Sequence, residues 1–121
     1  MGRVEGAPLT ELRERLQKLA KMTATEFNAI LQEDPEVFRD RIRLIFNDES
    51  FMDIRYPINH DYSFHWQRRG EVYRINTAPH HPELETSPRH MHTGKEEVVK
   101  RDSVTSLDNP PEENLRRVLK W

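Results

Sequence analysis

All six histidines of this chain lie between His60 and His92, about a quarter of its length. One stands in the run Tyr62-Ser63-Phe64-His65-Trp66-Gln67. His80 and His81 lie between Pro79 and Pro82, and His90 and His92 follow Pro88. Imidazole is the side chain that changes charge near neutral pH and is also the commonest metal ligand. Three chemistries fit these residue types. Cleaving an RNA phosphodiester at its 2′-hydroxyl needs a base, an acid and cations where negative charge develops. His65, His80, His81 and Arg74 are the candidates for that catalysis, with Arg43, Arg55 and Arg68 as contacts for RNA phosphates, and no cofactor is required. Alternatively, His90-x-His92 on an extended segment turns both rings to one side, and His80 or Glu83 could complete a tetrahedral zinc site. In the third reading the histidines only brace a loop, through backbone carbonyls and Glu83 or Glu85, in a non-catalytic protein-binding domain.

The segments before these residues must position them. From Thr10, Leu12, Leu16, Leu19 and Met22 recur at helical spacing, with Thr10 as a cap and the first eight residues frayed. Phe27, Ile30 and Leu31 suggest a second short helix, ended at Asp34-Pro35. From Phe38 the pattern alternates, which predicts a four-stranded antiparallel meander over residues 38–77. Requiring the apolar side chains to share a face pairs Phe46 with Met52, Met52 with Trp66, and Trp66 with Tyr73. Leu44, Ile54, Phe64 and Ile75 form the next apolar row. The opposite face then carries Ile45, Asp53, His65 and Arg74 in one row and Arg43, Arg55, Ser63 and Asn76 in another.

Residues 78–94 hold three prolines and no period, which predicts a stiff histidine-rich loop. Val98 and Val99 suggest an edge strand. Asp108-Asn109-Pro110-Pro111-Glu112-Glu113 is a helix start, with prolines and acids where a helix N-terminus favours them. The C-terminal helix is expected over 109–121, with Leu115, Val118 and Leu119 buried. The expected fold is therefore α+β, one domain over 1–121, with N- and C-terminal helices covering one face of the sheet.

Composition narrows the partners. Nineteen Lys and Arg against 21 Asp and Glu leave a formal net charge of −2, so any anion-binding site must come from local placement. Mean hydropathy is −0.91 and apolar runs are short, which predicts neither a membrane span nor a secretory signal and favours the cytoplasm. With no cysteine, disulfides and thiolate metal sites are excluded. An edge strand and the terminal Trp121 suggest a homodimer.

The blocks Tyr62–Gln67, Ala78–Glu83 and Pro88–Gly94 resemble those of the TumE family, small prokaryotic proteins assigned as the toxin half of a toxin–antitoxin pair. The shared features are an aromatic-x-aromatic-His-Trp-Gln strand, an Asn-Ala-Pro-His-His-Pro-Glu block and a Pro-x-His-x-His block. Thr77 stands here where the second block has asparagine, and Pro88, His90 and His92 match the third. The resemblance is strongest from Phe38 to Gly94. It implies a growth-inhibiting toxin and a cognate antitoxin as partner, and it assigns no catalytic residue.

Overall fold

The computed structural model describes residues 3–77, 89–93 and 98–120. Helix α1 runs from Arg3 to Glu26, so the helix includes residues expected to be frayed, and Thr10 lies inside it rather than capping it. The leucine stripe does what its spacing requires: Leu16 and Leu19 are fully buried. The expected second helix is only a 3-10 turn, Asn28–Ile30. Thr23, in the last turns of α1, donates its hydroxyl to the Leu19 carbonyl at 2.8 Å. Backbone bonds from Gln32 to Ile45 and from Asn47 to Ile30 then draw the chain onto the sheet.

The sheet has seven strands, not four. They are β1 (Glu36–Phe38), β2 (Arg41–Ile45), β3 (Phe51–Ile58), β4 (Asp61–Arg68), β5 (Glu71–Asn76), β6 (His90–Thr93) and β7 (Val98–Arg101), in sequential order. Every neighbouring pair is antiparallel. β6 forms within the stretch read as a loop, where His90 pairs with Asn76 and His92 with Arg74. Proline and histidine content hid this short strand, whose pairing is fixed by β5 and not by its own pattern.

Register matches the sequence expectation across β3, β4 and β5: Met52 faces Trp66, and Trp66 faces Tyr73. Between β2 and β3 it differs by two residues, with Leu44 opposite Met52 and Ile42 opposite Ile54. The cause is the turn. Asp48 accepts hydrogen bonds from both the amide and the hydroxyl of Ser50, and the Phe46 amide donates to the Ser50 carbonyl at 2.9 Å. Phe46 therefore belongs to the turn, and pairing begins at Ile45 and Phe51. A two-residue shift keeps every side chain on its expected face. The β4–β5 turn is Arg69-Gly70, both with positive φ, as a two-residue hairpin connection requires.

Both helices cover the apolar face. Helix α2 (Pro111–Lys120) buries Leu115 and Val118 among Ile42, Leu44, Ile54, Phe64, Ile75 and Met91. Asn114, fully buried in α2, ties the helix to the sheet. Its amide donates to the Tyr56 hydroxyl and the Ser106 carbonyl, both at 2.9 Å, and its oxygen accepts from the Ser106 amide at 3.0 Å. Burial, opposed by the Asn114 bond, pushes the Tyr56 phenol up to about 12, so it remains neutral. After β7, buried Asp102 accepts from the Val104 and Thr105 amides. The Thr105 hydroxyl then meets that of Tyr62 at 2.7 Å.

Two stability predictions follow from this packing. Phe64 is 2 % exposed, whereas Trp66 is half-buried and beside a cavity. Phe64→Ala should cost about 3–5 kcal/mol and Trp66→Ala clearly less. Urea melts giving the reverse order would place the core elsewhere. Asn114→Ala should cost about 2–4 kcal/mol, because it strands the buried Tyr56 hydroxyl and the half-buried backbone groups of Ser106. A variant within about 1 kcal/mol of wild type would show that these bonds do not hold α2.

Candidate functional site

The helices leave the other sheet face open, and strand alternation decides what it displays. The register places Arg43, Asp53, His65, Arg74 and His92 in one row across β2 to β6. A neighbouring row holds Arg55, Ser63, Asn76 and His90. The two-residue correction in β2 matters here: it moves Arg43 from opposite Arg55 to opposite Asp53.

That position decides the chemistry of Arg43. Its Nε and Nη2 donate to the two Asp53 oxygens at 2.8 and 2.7 Å, and its guanidinium lies 4.5 Å from the Phe51 ring centre. The Asp53 bond raises the Arg43 pKa further, against the effect of desolvation. Asp40, in the β1–β2 turn, holds Arg41 at 3.2 Å and Arg55 at 3.8 Å. Desolvation opposes its ionisation, but the Arg41 hydrogen bond and both guanidinium charges keep its carboxyl below the usual range. The open face is thus a lattice of arginines held by aspartates.

A cleft of about 600 Å³ opens on this face. Arg41, Arg55, Arg74 and His65 line it together with Asp40, Asp53 and Asp61. At one end, the Thr77 hydroxyl accepts from the Tyr62 amide at 3.0 Å and reaches Asp61 at 3.2 Å. It thereby closes the start of β4 onto the end of β5.

Of the residues proposed from sequence, the structure brings His65 and Arg74 together in the cleft and sets His92 beside Arg74. Arg43 and Arg55 share the face. Arg68 does not, because its alternation puts it with Phe64 and Trp66, where it pairs with Asp48 at 3.0 Å. His90 is 1 % exposed, its ring 5.0 Å from that of His92 and nearly perpendicular to it. His80, His81 and Glu83 lie outside the described residues. Among the described residues, no group of three or more His, Asp or Glu is placed to hold a metal ion. Asp40 and Arg41 were not singled out from sequence. Their signal was Arg41, two residues before Arg43 and therefore on its face.

The ion pairs make a direct prediction. Asp53→Asn should release Arg43 and Arg41 toward solvent and raise the salt needed to elute the protein from heparin. The melting point should move little, since partly exposed pairs are each worth at most about 1 kcal/mol. Unchanged elution would mean that these arginines cannot reach a polyanion.

The protein family described as toxin TumE matches residues 12–121. No curated protein and no solved structure matches the chain. Among the described residues, no helix is long and apolar enough to cross a membrane.

Proposed function

The chain belongs to the TumE toxin family, and on that premise we propose that it inhibits growth by cutting RNA on the open face of its sheet, with a cognate antitoxin as its partner. The observation that carries this reading is the position of His65, between Asp53 on one neighbouring strand and Arg74 on the other, in the cleft of about 600 Å³ on the open face. An imidazole at His65 takes the proton from a ribose 2′-hydroxyl as its oxygen attacks the adjacent phosphorus. A second imidazole, His80 or His81 from the proline-bounded stretch, protonates the departing 5′-oxygen. The products are a 2′,3′-cyclic phosphate and a free 5′-hydroxyl, with no net proton consumed. Arg74 steadies the charge gathering on the phosphoryl oxygens, and Arg43 and Arg55 contact neighbouring phosphates once these displace Asp53 and Asp40.

The adjacent rings of His90 and His92 favour one second reading, a zinc site completed by His80 or Glu83. Either completing residue lies outside the described residues.

One experiment separates these readings. His65→Ala and His81→Ala should each abolish growth inhibition and cleavage of a single-stranded RNA while leaving the melting temperature nearly unchanged. Arg74→Lys should also be impaired, because a point ammonium cannot grip phosphate with two parallel bonds. The rate should follow a bell-shaped pH profile near neutrality. Loss of activity to a chelator, restored by zinc, would favour the metal site. Full toxicity in every variant would leave the histidines as scaffold.

A further inference from the structure

Beside the row that holds His65, the open face carries a different kind of surface. The register aligns Ile45, Phe51, Gln67 and Val72 across β2 to β5. Alternation sends them to the same side as Arg43 and His65. Phe51 is half-buried and stands outside the apolar core beneath the helices. Its place follows from β3 itself, where Met52 and Ile54 take the buried side. The ring presents its face rather than its edge, because the Arg43 guanidinium lies over it, 4.5 Å from its centre. That guanidinium is planar, and its Nε and Nη2 are turned to Asp53. A ring face that holds one planar group has the shape and the electron density to hold another. The proposed chemistry lies close by. Gln67 stands directly opposite Phe51, and His65 is two residues before Gln67 on the same strand. Phe51 and His65 are therefore diagonal neighbours, at a spacing of about 7–8 Å that aromatic and long side chains bridge.

We infer that Phe51 is a base-stacking platform, on which lies an unpaired nucleobase next to the phosphate held at His65. The inference rests on the RNA-cutting reading and adds the part of the substrate that the histidines and arginines do not touch. A nucleotide joins a flat base to an anion, and this corner of the face joins a flat ring to guanidinium groups. When a phosphate draws Arg43 from Asp53, the guanidinium also leaves the ring, and the base takes its place. A base paired inside a duplex cannot stack there, so the substrate is single-stranded RNA. Stacking accepts every base, because each has a π-face. Phe51 thus selects for an unpaired strand and not for sequence.

The test uses the full chain and single-stranded 2′-O-methyl oligoribonucleotides, which lack the attacking hydroxyl and so report binding apart from cleavage. One strand carries every base, and a set of copies each lacks one base. Phe51→Leu should weaken binding of the complete strand about tenfold, and Phe51→Tyr, which keeps the ring, should bind like wild type. Both variants should melt close to wild type. With the wild-type chain, one base-lacking copy should bind about tenfold worse than the complete strand. Phe51→Leu should bind that copy and the complete strand alike, since both changes remove the same contact. Equal affinity of wild type and Phe51→Leu for the complete strand overturns the platform. So does a loss in Phe51→Leu that adds in full to the loss from every missing base. In both cases, cleavage of RNA by the wild-type chain leaves the RNA reading standing. Binding without cleavage keeps the platform and removes the proposed chemistry. A wild-type chain that binds no RNA overturns both. A Phe51→Leu chain that binds RNA normally but escapes neutralisation by the product of the adjacent reading frame assigns the ring to a protein partner, and also overturns the platform.

Discussion

The pairing of Met52, Trp66 and Tyr73 across three neighbouring strands governs the architecture. An antiparallel strand sends successive side chains to opposite faces, so one set of apolar partners fixes the helix-covered side and, by subtraction, the open one. His65 is exposed to the cleft because Phe64 is buried beneath the helices. Arg74 stands beside His65 because Ile75 stands beside Phe64. Core packing and the candidate site are two outcomes of one register. A slip by one residue would destroy both, whereas the two-residue shift seen in β2 preserves the faces and only exchanges partners.

That exchange has an electrostatic consequence. With Arg43 against Asp53 and Arg41 and Arg55 near Asp40, the open face carries dense charge with little net sign, in keeping with the near-neutral chain. Exposed pairs of this kind add little to stability. What they do is hold guanidinium groups in place; under the proposed function, an incoming phosphate would meet oriented donors and compete with carboxylates for them.

Much of this was legible in the sequence. The leucine stripe of α1, the alternation from Ile42 to Ile75 and the Arg69-Gly70 turn each carry a local signal, so helix, faces and most of the register could be read. The errors arose where distant contacts decide. Asp48 closing on Ser50 shortened β2 and changed the partner of Arg43. Glu36–Phe38 is too short to show a period and is a strand only because β2 pairs with it. His90–Thr93 was hidden by its composition. Phe27 to Leu31 has helical spacing, yet backbone bonds to the sheet limit it to a single turn. Within the site, His65 and Arg74 were readable from alternation, while the placement of Arg68 on the opposite face follows from the same alternation applied to β4.

The central claim, that the row from Arg43 to His92 on the open face is the surface that meets RNA, is tested most directly by amide chemical shifts on titration with a short single-stranded RNA. The account predicts that perturbations concentrate at Asp53, Ser63, His65, Arg74 and Asn76, with the signals of Ile30, Phe46 and Leu119 unmoved. Perturbations confined to that second group, or none at concentrations that inhibit growth, would contradict it.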